Sequence, residues 1–544
     1  VPTKLASLLA PLAAVLLGAA LGAACTQTAQ PLPEISRFHF PTGMAIDTSY
    51  ALGTQPPGTR AHFLYVAGNS NFDQAASRGV VMAVDLDGYG PASTGLMPPA
   101  LAVDGGDWDG TPLQFPDVGD AGTMNLDGGF VFTDSLGGEM RLSPTSAGGQ
   151  RLVLASRGQN TLGFIDVDPG GATLTCVDGD AGQDCLNPNS SPELIVPGSN
   201  GGNEILDVFA LSYPVQMQLQ GGGLGPPELF VGNLRNLSTA VSSVAGAPNP
   251  YTTTTSSSTT ITQAFVIRQS VDDPTCNIAE YAGEVPAAGV MGLQGPPGTL
   301  YSILTGRFSG LTDANIRVLT LPPPSCPVPN PIADQLPVNA TPATQVIDLS
   351  QILKETDGRG LALSSSKDRV FALSIGPDSL VVLRIDGTAP TSLLIHPSSV
   401  VPLPNGPSEM VVIPRTAPNG SPVGDLVAVS CPGANVLAFY DDEIGSVTAA
   451  LPGVGDEPFA VSTAPRTLGT GPSATLLPGV RLFVTAFGSG QVAVVDLPDP
   501  LDATTARVIA MLGTFEDTTA SPVNPLTNQI LTLPYGYGGA PGGI

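Results

Sequence analysis

Short runs in which apolar and polar residues alternate recur along this chain, and they come in pairs joined by turns. Residues 481–497, "RLFVTAFGSGQVAVVDL", give one such pair: an apolar run, a Gly-Ser-Gly turn and a second run ending near Asp496. Similar pairs stand at 63–87 ("FLYVAGNSNFDQAASRGVVMAVDLD"), 151–168 ("RLVLASRGQNTLGFIDVD"), 368–386 ("DRVFALSIGPDSLVVLRID") and 425–441 ("DLVAVSCPGANVLAFYD"). A period of two interrupted by Gly, Asn or Asp is the pattern of a β-hairpin. The last three copies begin about 56 residues apart, slightly longer than the usual repeat of a propeller blade. Two weaker copies, "ELFVGNLRN" leading to "QAFVIRQ" and "LYSILTGRFSGLTDANIRVLTL", bring the count to seven.

A further short strand is predicted ahead of the hairpins. "FPTGMAID", "GGEMRLSP", "YPVQMQLQ", "GRGLALSS", "GPSEMVVI" and "EPFAVSTA" each set Pro or Gly before an alternating run. Met44, Met140, Met217 and Met410 share one register in it, with Leu361 and Phe459 as substitutes. At period two, the shared position faces a packed layer, so this Met stripe reads as core. Its neighbours Glu139 and Arg141, Gln216 and Gln218, and Glu409 face the other way and are candidates to line an axial channel, as paired or hydrated structural groups.

Composition narrows the class. With 65 Gly, 55 Pro and 12% charged residues, the chain suits many short strands joined by turns, and its 42% apolar content supplies a core. Its 46 acidic residues outweigh 20 basic ones for a net charge of −26, which sets nucleic acid and anionic membrane surfaces aside as partners.

Residues 1–25, "VPTKLASLLAPLAAVLLGAALGAAC", have the layout of a secretory signal: one Lys, an apolar stretch, then small residues. The ending resembles a bacterial lipobox, which implies cleavage before Cys25 and its acylation, although Gly22 stands where that motif favours Leu. Export makes disulfides available. Cys176 and Cys185 bracket a short loop and form the first expected pair; Cys276 and Cys326, both in long connections, form the next; Cys431 reads as a buried free thiol.

Chemical signals are sparse. His39, His62 and His396 are isolated in sequence, and the chain has no HExxH, GxSxG, GK[ST] or CxxCH, so no catalytic residue is assigned. Asp104, Asp107 and Asp109 in "DGGDWDGT", and Asp178, Asp180 and Asp184 in "DGDAGQD", read first as solvated turns and second as oxygen ligands for Ca2+, without the EF-hand spacing.

The strand "YVAGNSNFD", the hairpins ending in "VVDL" or "FIDVD", and the link "GVGDEPFAV" resemble the YVTN-type β-propeller repeat family, and the opening "FPTGMA" resembles exported lipoproteins of Gram-negative bacteria within it. The resemblance implies an all-β, seven-bladed β-propeller of four-stranded antiparallel blades over residues 38–513. It is preceded by the signal (1–25) and a tether (26–37) and followed by a Gly/Pro-rich tail (514–544). Insertions at 69–79 and 233–260, with blade connections within 88–136 and 269–299, are expected to crowd one face. The function expected is a monomeric outer-membrane lipoprotein, or otherwise a secreted protein. It would hold the membrane through its lipid and bind an envelope protein or glycan without catalysis. A lactonase-like or metal-dependent hydrolase with a channel-mouth site is the alternative.

Overall fold

In the central strands the alternation serves two packed faces rather than one packed and one wet. Leu426 and Ala428 join a core with Leu482, Val484 and Val495, whereas their neighbours Val427 and Val429 join another with Phe371, Leu373 and Leu380. A sheet apolar on both sides must lie between two others, and repetition of that arrangement makes blades stacked around an axis.

A computed structural model describes residues 38–47, 63–69, 78–86, 129–134, 137–156, 161–168, 173–177, 185, 208–211, 227–233, 264–273, 277–282, 287–295, 299–306, 315–321, 343–349, 352–353, 357–389, 392–468 and 475–513. These residues form seven four-stranded antiparallel sheets, each from consecutive strands. Blade 1 holds β1 (Gly43–Asp47), β2 (Phe63–Asn69), β3 (Arg78–Asp85) and β4 (Phe130–Asp134). Blade 2 holds β5 (Gly137–Pro144), β6 (Gln150–Ser156), β7 (Thr161–Val167) and β8 (Leu174–Cys176). Blade 3 holds β9 (Val208–Leu211), β10 (Glu228–Asn233), β11 (Ala264–Ser270) and β12 (Asn277–Ala282). Blade 4 holds β13 (Ala287–Gln294), β14 (Leu300–Gly306), β15 (Asn315–Leu321) and β16 (Ala343–Asp348). Blade 5 holds β17 (Asp357–Leu363), β18 (Arg369–Ile375), β19 (Ser379–Ala389) and β20 (Ser392–Pro402). Blade 6 holds β21 (Met410–Thr416), β22 (Pro422–Cys431), β23 (Val436–Asp441) and β24 (Ser446–Pro452). Blade 7 holds β25 (Pro458–Leu468), β26 (Thr475–Ala486), β27 (Gln491–Leu497) and β28 (Arg507–Leu512).

The first strands touch in a closed cycle, β1 to β5, β9, β13, β17, β21, β25 and back to β1. The all-β, seven-bladed propeller expected from the pattern is therefore the fold. The first and last blades share no strand, so closure falls on β1 against β25 and on residues 38–42. Phe38 is fully buried against Gly513, and Phe40 packs on Phe487 with ring centroids 5.4 Å apart. Adjacent first strands approach closely at their starts. A Cβ on Gly43 would collide with the Gly138 carbonyl, and one on Gly289 with the Arg359 carbonyl, so only glycine fits there. Thr42 Oγ1 donates to the Gly137 carbonyl in the same collar.

The acidic residue that ends the second hairpin strand has a structural use. Asp166 accepts from Arg151 (2.6 Å), Asp441 from both terminal nitrogens of Arg415 (2.6 and 2.7 Å), and Asp496 from Arg466 (2.8 Å) and Arg481 (2.7 Å). The pairs of Arg151, Arg415 and Arg481 are two-pronged and that of Arg466 is a single contact, and together they tie third strands to first or second ones.

The blade links expected within 88–136 and 269–299 are there and short: residues 135–136 join β4 to β5, and 283–286 join β12 to β13. Most of 88–136 instead joins β3 to β4 within blade 1. In an antiparallel blade, the β1–β2 and β3–β4 connections leave from one end and the β2–β3 connection and blade link from the other. Residues 234–263 and 177–207 therefore depart from one end, and 86–129 and 322–342 from the opposite end, so the insertions are not confined to one face.

Cys176 and Cys185 are joined by a disulfide. The Cys185 N–H donates to the Phe132 carbonyl at 3.0 Å, so the bridge fastens the outer strand of blade 2 to that of blade 1. With nine residues of separation, Ser at both positions is expected to cost about 2–3 kcal/mol by freeing the unfolded loop. Urea unfolding of the double variant should match reduced wild type; equal midpoints for oxidised and reduced wild type would remove the bridge from the stability account.

Candidate functional site

Charged side chains at two of the first strands act on one another close to the collar where those strands begin. Two carboxylates and one guanidinium meet there, from blades that are not neighbours. Glu139 and Arg141 lie two apart on β5, hence on one face, with Arg141 Nη2 3.7 Å from Glu139 Oε2. Glu409 immediately precedes β21 in blade 6. Both glutamates are only 8% exposed. Blades 2 and 6 are separated by two others on the shorter way round, so groups from both meet only through the channel.

Local hydrogen bonds hold the Glu409 backbone. Its N–H donates to Ser430 Oγ (3.2 Å), and the Ser430 N–H donates to its carbonyl (2.9 Å). Ser408 Oγ and Ser430 Oγ lie 2.9 Å apart, and Ser408 Oγ donates to the Phe459 carbonyl of blade 7 at 3.1 Å. The Glu409 carboxyl accepts from the Val461 N–H, while its Oε1 is buried with no hydrogen-bond partner. Burial, and then the negative charge of Glu139, push the Glu409 pKa well above the usual carboxylate range; Arg141 and the Val461 N–H pull it back only in part.

The sign of the linkage follows. The folded state holds this proton more tightly than the unfolded chain, so the stabilising contribution is complete below the unfolded glutamate pKa of about 4.3 and is lost as pH rises through the folded value. Glu409→Gln is expected to raise the melting temperature at pH 8 more than at pH 5. Equal shifts at the two pH values would contradict the assignment.

The other candidates fall as follows. Met44 is buried, Met140 lies in the blade 1–blade 2 core and Met410 packs against the blade 5–blade 6 core. The described first strand of blade 3 is Val208–Leu211, and Gln216, Met217 and Gln218 lie outside the described residues. The same is true of Cys25, Cys276, Cys326, His62, Asp104, Asp107, Asp109, Asp178, Asp180 and Asp184. Among the described residues, no group of three His, Cys, Asp or Glu is arranged to hold a metal ion. His39 is buried, whereas His396 is exposed, 3.6 Å from Asp386. Cys431 is a buried free thiol; burial, with the charge of Asp378, pushes its pKa up to about 12, so it is not a nucleophile at neutral pH. Sequence reasoning missed Ser408 and Ser430. The only trace of them is a hydroxyl residue beside Glu409 and another at the end of "LVAVSC".

No family model matches the sequence, and no curated protein matches it. Among solved structures, the chain is similar to the β-propeller domain of Cps50 (Swd1) from Myceliophteria thermophila, at 9% identity and TM-score 0.36, covering 84% of this chain and 96% of that one. It is also similar to the periplasmic gluconolactonase PpgL of Pseudomonas aeruginosa, at 13% identity and TM-score 0.36, covering 74% and 86%. A third likeness is to Kuenenia stuttgartiensis hydrazine synthase, at 10% identity and TM-score 0.40, covering 87% and 98%. Similarities this distant carry no functional argument, and the fold stands on the sheets themselves.

Proposed function

We propose that this chain is an exported, lipid-anchored β-propeller that serves as a non-enzymatic binding scaffold at the cell envelope, as its resemblance to YVTN-type lipoproteins implies. The observation that carries this reading is the division of labour in the ring. The axial carboxylates are buried, whereas long connecting segments depart from both ends of a closed framework. Variable segments on a rigid scaffold are where repeat proteins place recognition. The Cys176–Cys185 disulfide supports an oxidising compartment, and the lipobox-like ending at Cys25 supports a lipid anchor in the outer membrane. The partner is an envelope protein or glycan, engaged by a monomer.

The test is affinity purification of the tagged full-length protein from detergent-solubilised envelope, followed by mass spectrometry, beside a variant lacking residues 233–260. A near-stoichiometric partner lost with the deletion supports the scaffold and places its interface at that end of the ring; retention of the partner moves the interface elsewhere. Incorporation of labelled palmitate that disappears in Cys25→Ser supports the anchor, and incorporation that persists overturns it.

A second reading is favoured by one observation. A Glu409 whose pKa is raised by burial and by the Glu139 charge it faces makes the unequal pair that general acid–base hydrolysis uses, as a lactonase-like enzyme would. Turnover of a lactone panel that is abolished in both Glu139→Gln and Glu409→Gln would favour it over the scaffold.

A further inference from the structure

The propeller does not need a charged side chain where Glu409 stands. Glu409 stands directly before the shared first-strand position Met410, where other blades have Glu139 before Met140, Gly43 before Met44, Gly360 before Leu361 and Pro458 before Phe459. Three of these blades thus carry glycine or proline at the tight collar, and blades 2 and 6 carry carboxylates, of which Glu409 is 92% buried with one oxygen lacking a partner. An unsatisfied buried carboxylate oxygen is destabilising, so its presence calls for a ligand.

We propose that Glu409 and Glu139, with Arg141 beside them, form an axial binding site for a small singly charged cation carrying N–H donors, a primary ammonium group. Charge counting selects the class. Among these three groups, Glu139, an ionised Glu409 and Arg141 sum to a single negative charge, which one ammonium neutralises. Three N–H donors suit Glu409 Oε1 and the Glu139 carboxylate together. A divalent cation fits less well, because Arg141 already sits against Glu139 and calcium needs six to eight oxygens. The charged groups acting on Glu409 are Glu139 and Arg141 of β5, and β25 contributes only the Val461 N–H. An entering ammonium therefore competes with the Glu409 proton.

Calorimetric titration of methylammonium chloride into the full-length protein at pH 7 tests this. Ionic strength is held with tetramethylammonium chloride, which has no N–H donors, and two buffers of different ionisation heat report proton release. The expected result is saturable binding that releases up to about one proton per ligand. Glu409→Gln, which keeps the side chain's shape, should lose the proton release and weaken binding about tenfold or more, while Glu139→Gln should weaken binding as well. No saturable heat in the wild type, or unchanged binding and proton release in Glu409→Gln, overturns the site. The same proton release with potassium chloride overturns the ammonium assignment. None of these outcomes depends on whether an envelope partner is captured.

Discussion

Asp496→Ala is expected to lower the unfolding free energy by about 3–5 kcal/mol, because removing one partner of a buried ion pair leaves the other uncompensated. Here two partners are stranded. Arg466 and Arg481 reach the same carboxylate from β25 and β26, and all three side chains are nearly inaccessible to water, at 4%, 11% and 5% exposure for Arg466, Arg481 and Asp496. Asp496→Asn keeps the shape and part of the hydrogen bonding but not the charge, so it should recover only part of the loss. Arg384 and Asp386 supply the internal control. Their contact is 3.2 Å, but the side chains are 73% and 49% exposed, so Asp386→Ala should change stability by less than about 1 kcal/mol. Urea unfolding with a common m-value measures both. Similar midpoints for Asp496→Ala and Asp386→Ala would show that the repeated acidic residue is decoration rather than a clamp.

That clamp marks where sequence reading stopped. The hairpins were legible because their strands are central: both faces are packed, turns are short, and the alternation falls into two clean apolar sets, as at Leu426 to Val429. The Asp closing each hairpin was visible as a repeated letter, yet its arginine sits 15 to 30 residues away in sequence, as Arg151 does from Asp166 and Arg466 from Asp496. Outer and irregular strands were harder. The outermost strand of blade 6, Ser446–Pro452, is half-buried along most of its length and has no clean apolar face. Ala287–Gln294 reads "AAGVMGLQ", small where the Arg359 backbone presses on Gly289, and small residues resemble a loop. The channel candidates were found by a face argument alone. Period two put Glu139 and Arg141 together, but that Glu409 meets them follows only from ring closure, which brings blade 6 opposite blade 2. Ser430 could not be read in the same way, because a hydroxyl at the end of an apolar strand carries no signal until its partners are placed.

Ring closure also predicts the second large effect. Phe38→Ala is expected to cost about 3–5 kcal/mol, the range for emptying a buried aromatic site. The loss should be concentrated at one seam. In many rings a strand shared between the first and last blades fastens closure, but here each blade is one contiguous piece of chain. Phe38 is fully buried beside Gly513, directly after the last strand, where φ is +93° and a Cβ would press on the Phe38 ring. Phe40 adds its contact with Phe487, and the Thr42 N–H donates to the Ala67 carbonyl at 3.0 Å, which ties the same segment to blade 1. Five residues thus connect blade 7 to blade 1. Hydrogen exchange is the discriminating measurement. Amides of β1, β25 and β28 should lose protection in Phe38→Ala well before those of β17 and β18 on the far side of the ring, because opening at the seam leaves distant blades paired. Uniform loss of protection would mean that the ring unfolds as one unit and that residues 38–42 are no more a fastening than any other part of the core. Gly513→Ala gives an independent check: with added strain at positive φ and a methyl group directed at the same ring, it should open the same seam without removing any contact.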